Sequence, residues 1–493
     1  MSISDKNYFS ELQSVLQLPD APALTICKTG STLSAGKLLH EVDVHCTALR
    51  NAGIGEGTVV AVYGLPQDRL LISLLALWSM QAIAVPLEKS LLAYPVEEYL
   101  ALSRATYIIL DPQEQALHSS TNIVGISTDY VIEKITAPPA AAILPADVAM
   151  MAFTSGTTGK PKAVLLSHSN LIAAASSMQS VVCGEPGQRV LIALPIAHMY
   201  GMSVVLSYLL GGGHIILEQP TMDGQIILAS AITYKVQILP LQPPHVAAVL
   251  KHQDMLAKLK GQIQCFATAS GNVRVADLEL IAALLGDTRI VVYFALTEVP
   301  RAVACINPHN LPEQKRNSIG RPAPFMNAIL EPLGPNTNEL VLEGDMVALG
   351  YLNAEGETSY FNGRFATGDL ALCCDENLLY WNGRRSDAVD YKGVLINPWP
   401  LENTAMGTNG ITGAILTLSI DHSRLIMLCE GESIPLISTV IELEAKLSEQ
   451  AGHPVYVYHN HKLPRTANSK LSRNPELLLP LLSTAQTASD RTA

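Results

Sequence analysis

From Phe153 to His168 the chain reads FTSGTTGKPKAVLLSH. The hydroxyls of Thr154, Ser155, Thr157 and Thr158, the glycines Gly156 and Gly159, and the cations Lys160 and Lys162 crowd one short loop. Glycine lets a backbone turn tightly and bring its N–H groups to a ligand. Hydroxyls add donors, and lysine adds a point charge suited to phosphate. Apolar runs flank the loop, Val148 to Ala152 before it and Ala163 to Leu166 after it. This predicts two buried strands joined by a loop whose backbone donors form an anion-binding concavity. It is not a Walker A loop, which has four residues between its glycines and then Gly-Lys-Ser/Thr opening a helix. Here Thr157 and Thr158 alone separate Gly156 from Gly159, and Pro161 follows Lys160. A plain polar hairpin turn would need neither the paired lysines nor the apolar flanks, so phosphate contact is the stronger reading.

Other stretches carry chemistry of their own. His198 lies in Pro195-Ile-Ala-His-Met-Tyr-Gly-Met202, just past an apolar strand, Val190 to Leu194. Ser270-Gly271 follows the strand Cys265 to Ala269, and small-residue turns at strand ends are where open α/β sheets place ligands. Tyr293-Phe-Ala-Leu-Thr-Glu298 ends another strand, and a carboxylate there can hold magnesium beside phosphates. Thr367-Gly368-Asp369 offers an acceptor-only carboxylate, Gly383-Arg384 a cation, and Leu463-Pro-Arg-Thr-Ala-Asn-Ser-Lys470 a lysine on a loop. Each is weak alone, since a turn aspartate or a solvated lysine is ordinary.

In this order and spacing the stretches resemble the motifs of the adenylate-forming superfamily: acyl- and aryl-CoA ligases, adenylation domains of peptide synthetases, and luciferases. The resemblance covers residues 153 to 473. The superfamily's phosphate loop reads Thr-Ser-Gly-Thr-Thr-Gly-x-Pro-Lys-Gly, and the chain departs from it at Ala163. The resemblance implies that Thr154 to Gly159, Lys162, Ser270 and Gly271 bind ATP. Phe294 would stack on adenine, and Thr297 would contact phosphate. Glu298, with Thr158, would hold Mg2+. Asp369 would accept the ribose hydroxyls, Arg384 would contact the nucleotide, and Lys470 would swing in to complete adenylation. His198, Met199, Tyr200 and Met202 would line the acid pocket together with Tyr293, Ala295 and Leu296. Tyr293 and Ala295 stand where glycine is usual, which implies a short or narrow pocket. Ser386 occupies the position of the domain hinge, with Gly393 beyond it at the thiol tunnel, and Ser469 replaces the glycine before Lys470.

Around these stretches the apolar pattern predicts an α/β fold. Continuous apolar runs such as Val59 to Tyr63 and Tyr107 to Leu110 read as strands of a buried parallel sheet. Residues 35–52, 68–82, 94–104, 169–181, 222–233, 244–259 and 276–285 read as helices. The expectation is a large N-terminal domain of packed α/β sheets over 1–385, with a small β-rich subdomain at 316–383. A small, mobile α+β C-terminal lid would cover 386–482, and a tail from 483 has too little apolar content to fold.

The net charge of -12 argues against nucleic-acid binding. The eight cysteines contain no CxxC pair, which fits thiols in a reducing compartment. The N-terminus lacks a signal-like apolar core and no run reaches membrane-spanning length, so a cytoplasmic protein without a membrane span is expected. The resemblance implies ATP-dependent activation of a small carboxylic acid as an acyl-adenylate. Transfer to a thiol would follow, either coenzyme A or the phosphopantetheine of an acyl or peptidyl carrier protein. Transfer to an amine, or a non-catalytic nucleotide- or acyl-binding relative, are the alternatives. Retention of Thr154, Lys162, Glu298, Asp369, Arg384 and Lys470 argues against the last.

Overall fold

The computed structural model describes residues 7–114, 121–136, 144–145, 147–155, 161–182, 184–271, 273–334, 337–431, 437–460, 462–465 and 471–489. The chain divides into two compact units: Met1–Ile329 with Val341–Phe365 and Cys374–Leu379, and Leu330–Leu340 with Ala366–Cys373 and Tyr380–Ala493.

The first unit is α/β, with two nine-stranded sheets among the described residues. In one sheet, Val59–Tyr63 is buried at every position and runs parallel to both Ile83–Leu87 and Tyr107–Leu110. The helix Gln67–Ser79 makes the crossover between the first two, and its Trp78 Nε1 donates to the Ala149 carbonyl at 2.9 Å. Val148–Ser155 joins the same sheet, followed antiparallel by Pro161–Ser167, Gly350–Leu352 and Thr358–Tyr360. In the other sheet, Arg189–Ile192, Ile238–Leu241, Cys265–Thr268 and Arg289–Phe294 are successive parallel neighbours. The main core cluster takes in one face of each sheet, for example Val60, Ala84, Ile192 and Ala267, and the helices that supply Leu38, Leu74, Leu171 and Leu206.

Most predicted elements form within a residue or two of their expected bounds. The helix read at 244–259 is instead Pro243–Val249, a short 3-10 turn, and Gln253–Ala257. It breaks at His252, whose ψ of 53° is not helical. Met199–Leu210 is a helix to which the sequence reading gave no element. Met199 through Leu209 are all buried, so it carries no polar stripe and hence no amphipathic period. Within 316–383, the strands Gly350–Leu352 and Thr358–Tyr360 extend the large sheet, because Gly350 to Leu352 pair with Leu165 to Ala163. Met326–Gly334, Thr337–Gly344, Arg364–Cys373 and Leu379–Arg384 form a separate four-stranded sheet in that order.

In the second unit, Gly413–Leu418, Leu425–Glu430 and Val455–Asn460 make a three-stranded sheet. The helices Pro398–Met406 and Ile437–Ala451 pack on it through Leu401, Leu443 and Leu447. The last helix, Pro475–Ser489, runs into the stretch expected to be unfolded from 483 and is anchored by the buried Leu478 and Leu482. Among the described residues no helix is long and apolar enough to cross a membrane.

Candidate active site

The two ends of the hydroxyl-rich stretch lie on paired antiparallel strands, Val148–Ser155 and Pro161–Ser167. Thr154 pairs with Lys162 and Ser155 with Pro161. Gly156, Thr157, Thr158, Gly159 and Lys160 lie outside the described residues. Ala163 pairs with Phe153 and Leu352 and is fully buried, so its methyl group fills core at the position where the superfamily pattern has glycine.

Lys162 and Glu298 both contact Tyr351. Lys162 Nζ lies 5.1 Å from the centroid of Tyr351, and the Tyr351 hydroxyl donates to Glu298 Oε1. The Ala348 N–H donates to the Glu298 carbonyl at 2.8 Å, while Asn170 Nδ2 donates to the carbonyls of Asp345 and Val347 at 2.7 and 2.9 Å. The helix His168–Val182 thereby fixes the segment that carries Tyr351 and steadies Glu298. Glu298, Thr297, Leu296, Ala295 and Phe294 are half-buried, which leaves their faces accessible. Glu298 is one carboxylate without a protein cluster around it: among the described residues no group of three or more His, Cys, Asp or Glu could hold a metal alone. That donor set suits Mg2+, which is usually held by one or two carboxylates plus substrate phosphates and water. Sequence reasoning missed Tyr351, which has no local signature.

His198 caps the buried helix. Its Nδ1 accepts the Tyr200 N–H at 3.2 Å, and its own N–H donates to the Pro195 carbonyl at 3.1 Å. Met199, Tyr200 and Met202 are buried, Met202 completely and within the main core cluster. The Tyr200 hydroxyl donates to the Ala267 carbonyl at 3.0 Å. Tyr293 is buried, and the Arg301 guanidinium carbon stands 4.5 Å from its ring centroid and 4.6 Å from that of Tyr200. Burial raises the hydroxyl pKa of both tyrosines, and the nearby Arg301 works in the other direction without reversing it, so both stay protonated. Arg301 went unnoticed in the sequence, although a charge within Val299-Pro-Arg-Ala-Val-Ala-Cys305 is a signal. Ser270 adopts a left-handed backbone (φ 69°) just past its strand, with Gly271 exposed beside it. A Cβ at Gly271 would come within 3.1 Å of the Pro243 ring.

In the second unit, Asp369 is buried, and its Oδ1 accepts Trp381 Nε1 at 2.8 Å and pairs with Arg384 Nε at 2.9 Å. The Asp369 N–H donates to Thr367 Oγ1 within the strand Arg364–Cys373, and the Gly368 N–H donates to Glu339 Oε1 at 3.0 Å. Trp381 in turn meets Trp399 edge-on, with ring centroids 4.5 Å apart. Ser386 is exposed in a 3-10 turn, Arg385–Asp387, and its hydroxyl donates to Asp387 Oδ1 at 3.2 Å. Arg473 joins that turn to the helix Pro398–Met406, with Nε 3.2 Å from Asp387 and Nη2 2.6 Å from the buried Glu402. Burial raises the Glu402 carboxyl pKa, and Arg473 opposes the shift. Gly393 turns a hairpin at φ 81° with open space around it. Lys470 lies outside the described residues; Arg465 and Leu471 pair across the base of its loop.

The profile of the AMP-binding enzyme family matches residues 12–352. The chain belongs to that family. Among curated relatives, the rice (Oryza sativa subsp. japonica) protein named 4-coumarate–CoA ligase-like 5 is 26% identical, over 83% of this chain and 77% of its own. A medium/long-chain-fatty-acid–[acyl-carrier-protein] ligase, FadD10 of Mycobacterium tuberculosis, is 24% identical over 93% of this chain and 92% of its own. The ATP-bound MatB of Rhodopseudomonas palustris shares the fold, with a TM-score of 0.80 at 21% identity over 96% of this chain and 98% of that one.

Proposed function

We propose that this AMP-binding enzyme activates a carboxylic acid with ATP and Mg2+ as an acyl-adenylate, then passes the acyl group to a pantetheine thiol. The observation that carries this reading is that Lys162 and Glu298 both meet Tyr351, one over its ring and one at its hydroxyl, with Lys162 just past the hydroxyl-rich stretch. A cation for phosphate and a lone carboxylate for magnesium are what an adenylating site requires. The related proteins support the thiol step, since one is named for coenzyme A and another for acyl carrier protein. Cytoplasmic residence fits a supply of ATP, and no disulfide joins the described cysteines.

In the first step a carboxylate oxygen attacks the α-phosphorus of ATP, and pyrophosphate leaves with the electron pair. The nucleophile is already ionised, so no general base is needed. Rate comes from positioning and charge neutralisation. Thr154 to Gly159, Lys162, Thr297, Ser270 and Gly271 are assigned to the phosphates, and Phe294 to the adenine face. Asp369 is assigned to the ribose and Arg384 to the nucleotide. Magnesium, held by Glu298 with Thr158, would neutralise the departing pyrophosphate, and Lys470 adds a second positive charge. In the second step the thiol sulfur attacks the acyl carbon and AMP departs. Ser386 is assigned to a hinge between the two steps and Gly393 to the thiol path. His198, Met199, Tyr200, Met202, Tyr293, Ala295 and Leu296 are assigned to the acid.

ATP–pyrophosphate exchange with a panel of acids tests the reading. Label should enter ATP only when a suitable acid is present. Tight ATP binding with no acid-dependent exchange would favour a binding protein.

A further inference from the structure

Arg301 is 1% exposed, yet among the described residues no carboxylate pairs with its guanidinium. Nε donates to Ser203 Oγ at 3.1 Å and Nη2 to the Tyr200 carbonyl at 3.5 Å, while Nη1 has no partner among the described residues. The planar group lies between the faces of Tyr200 and Tyr293. The buried hydroxyls of Tyr293 and Tyr208 have no partner among the described residues either. Arg301 stacks on Tyr293, and Tyr208 lies close enough to feel the charge of Arg301 within the same apolar core that holds Tyr293 and Cys265. Buried polar groups are nearly always satisfied, and a buried charge without a counter-ion is rarer still. Two ring faces offset only part of the desolvation of a cation. Arg301 also holds a left-handed backbone, φ 61°, which a non-glycine residue seldom adopts.

All three orphans can donate. What satisfies them together is a group rich in acceptors and negatively charged, and the guanidinium fork matches a planar or tripodal oxyanion. The place is as informative as the chemistry. Arg301 ends the turn that carries Thr297 and Glu298, and it bonds to the first turn of the helix capped by His198. The turn is half-buried from Phe294 to Glu298 and closed at Arg301, so its accessible end and its buried end belong to one loop.

We propose that Arg301 receives a second oxyanion, a carboxylate or a sulfonate, at the far end of the acid substrate, making this enzyme selective for dianionic acids. The proposal rests on the acid-activating reading above and names its substrate class. Tyr293 and Tyr208 add neutral hydroxyl donors, and Ser203 and the Tyr200 carbonyl hold the guanidinium in place. A monoacid of the same length would leave the cation uncompensated and bring an apolar end to it.

The test is ATP–pyrophosphate exchange by the full chain with straight-chain dicarboxylic acids against monocarboxylic acids of matched length, with ω-sulfo acids as a separate arm. The proposal expects kcat/KM for the best dianion to exceed that of its matched monoacid by on the order of a hundredfold. The sulfo arm tells which oxyanion is preferred. Arg301→Met should collapse that ratio, and Arg301→Lys should recover only part of it. A merely structural arginine would lower the rates for both acid classes alike and leave the ratio unchanged. Wild type alone keeps the proposal falsifiable if the variants do not fold. Exchange with monoacids as good as with dianions overturns the proposal while the acid-activating reading stands. If no acid supports exchange, a melting-temperature rise with dianions and ATP, absent with monoacids, still supports the dianion site. No exchange and no rise overturns both.

Discussion

At the scale of single residues, the account turns on where positive charge meets the triphosphate. Lys162 lies just past the hydroxyl-rich stretch, while Lys470 is assigned from its place in the Leu463 to Arg473 motif. Lys470→Ala should abolish acyl-adenylate formation and leave thiol transfer from a supplied acyl-AMP largely intact, because only the first step loses a cation beside developing charge. Measuring the two half-reactions separately checks this; equal loss in both would count against the assignment. The residues proposed for phosphate and magnesium stood out in the sequence because such chemistry demands particular residue types at short spacing. Their partners did not. Tyr351 reaches Glu298 across 53 positions of chain, and Trp381 meets Asp369 through a strand pairing. Such contacts depend on which strands become neighbours, and a linear pattern carries little of that.

At the scale of elements, the helix Met199–Leu210 and the strand-to-turn step after Phe294 carry the residues proposed for the acid. Gly201 shows how tightly the helix is seated. A Cβ there would stand 2.4 Å from the Pro195 carbonyl oxygen, which already accepts the His198 N–H. Gly201→Ala should therefore cost about 1–3 kcal/mol of stability by overpacking. It should also raise the acid KM more than the ATP KM, since the displaced first turn carries His198 and Tyr200. Denaturation and the two KM values read this out; an unshifted acid KM would detach this helix from the acid. The sequence announced the glycine through Pro195-x-x-His198-x-x-Gly201 but hid the helix, whose uniform burial erases the period that reveals other helices. Strands such as Val59–Tyr63 were easy for the opposite reason, since short apolar runs between turns have few other uses.

At the scale of the whole molecule, the first unit stores a pH dependence. His45, His168 and His245 are buried, and that burial holds each at a pKa of about 4, with Arg69 adding to the effect at His45. His168 Nδ1 accepts the Tyr8 N–H at 3.3 Å, a bond that protonation of that nitrogen would break. The unfolded chain takes up these protons near the ordinary value of 6.5, where the folded chain does not. Stability is therefore fully present above that pH and is lost as the pH falls toward about 4, by on the order of a few kcal/mol per histidine. Denaturant midpoints measured across this window should fall steadily with acidification; a flat profile would contradict the burial argument. The central claim, that this AMP-binding enzyme joins an acid to AMP, has its own direct measurement. An acid substrate labelled with heavy oxygen in its carboxylate is turned over with ATP and a pantetheine thiol, and the products are weighed by mass spectrometry. The account predicts that one labelled oxygen appears in AMP, because the carboxylate attacks the α-phosphorus and AMP later leaves with that oxygen. Label in inorganic phosphate, with ADP as the nucleotide product, would contradict it.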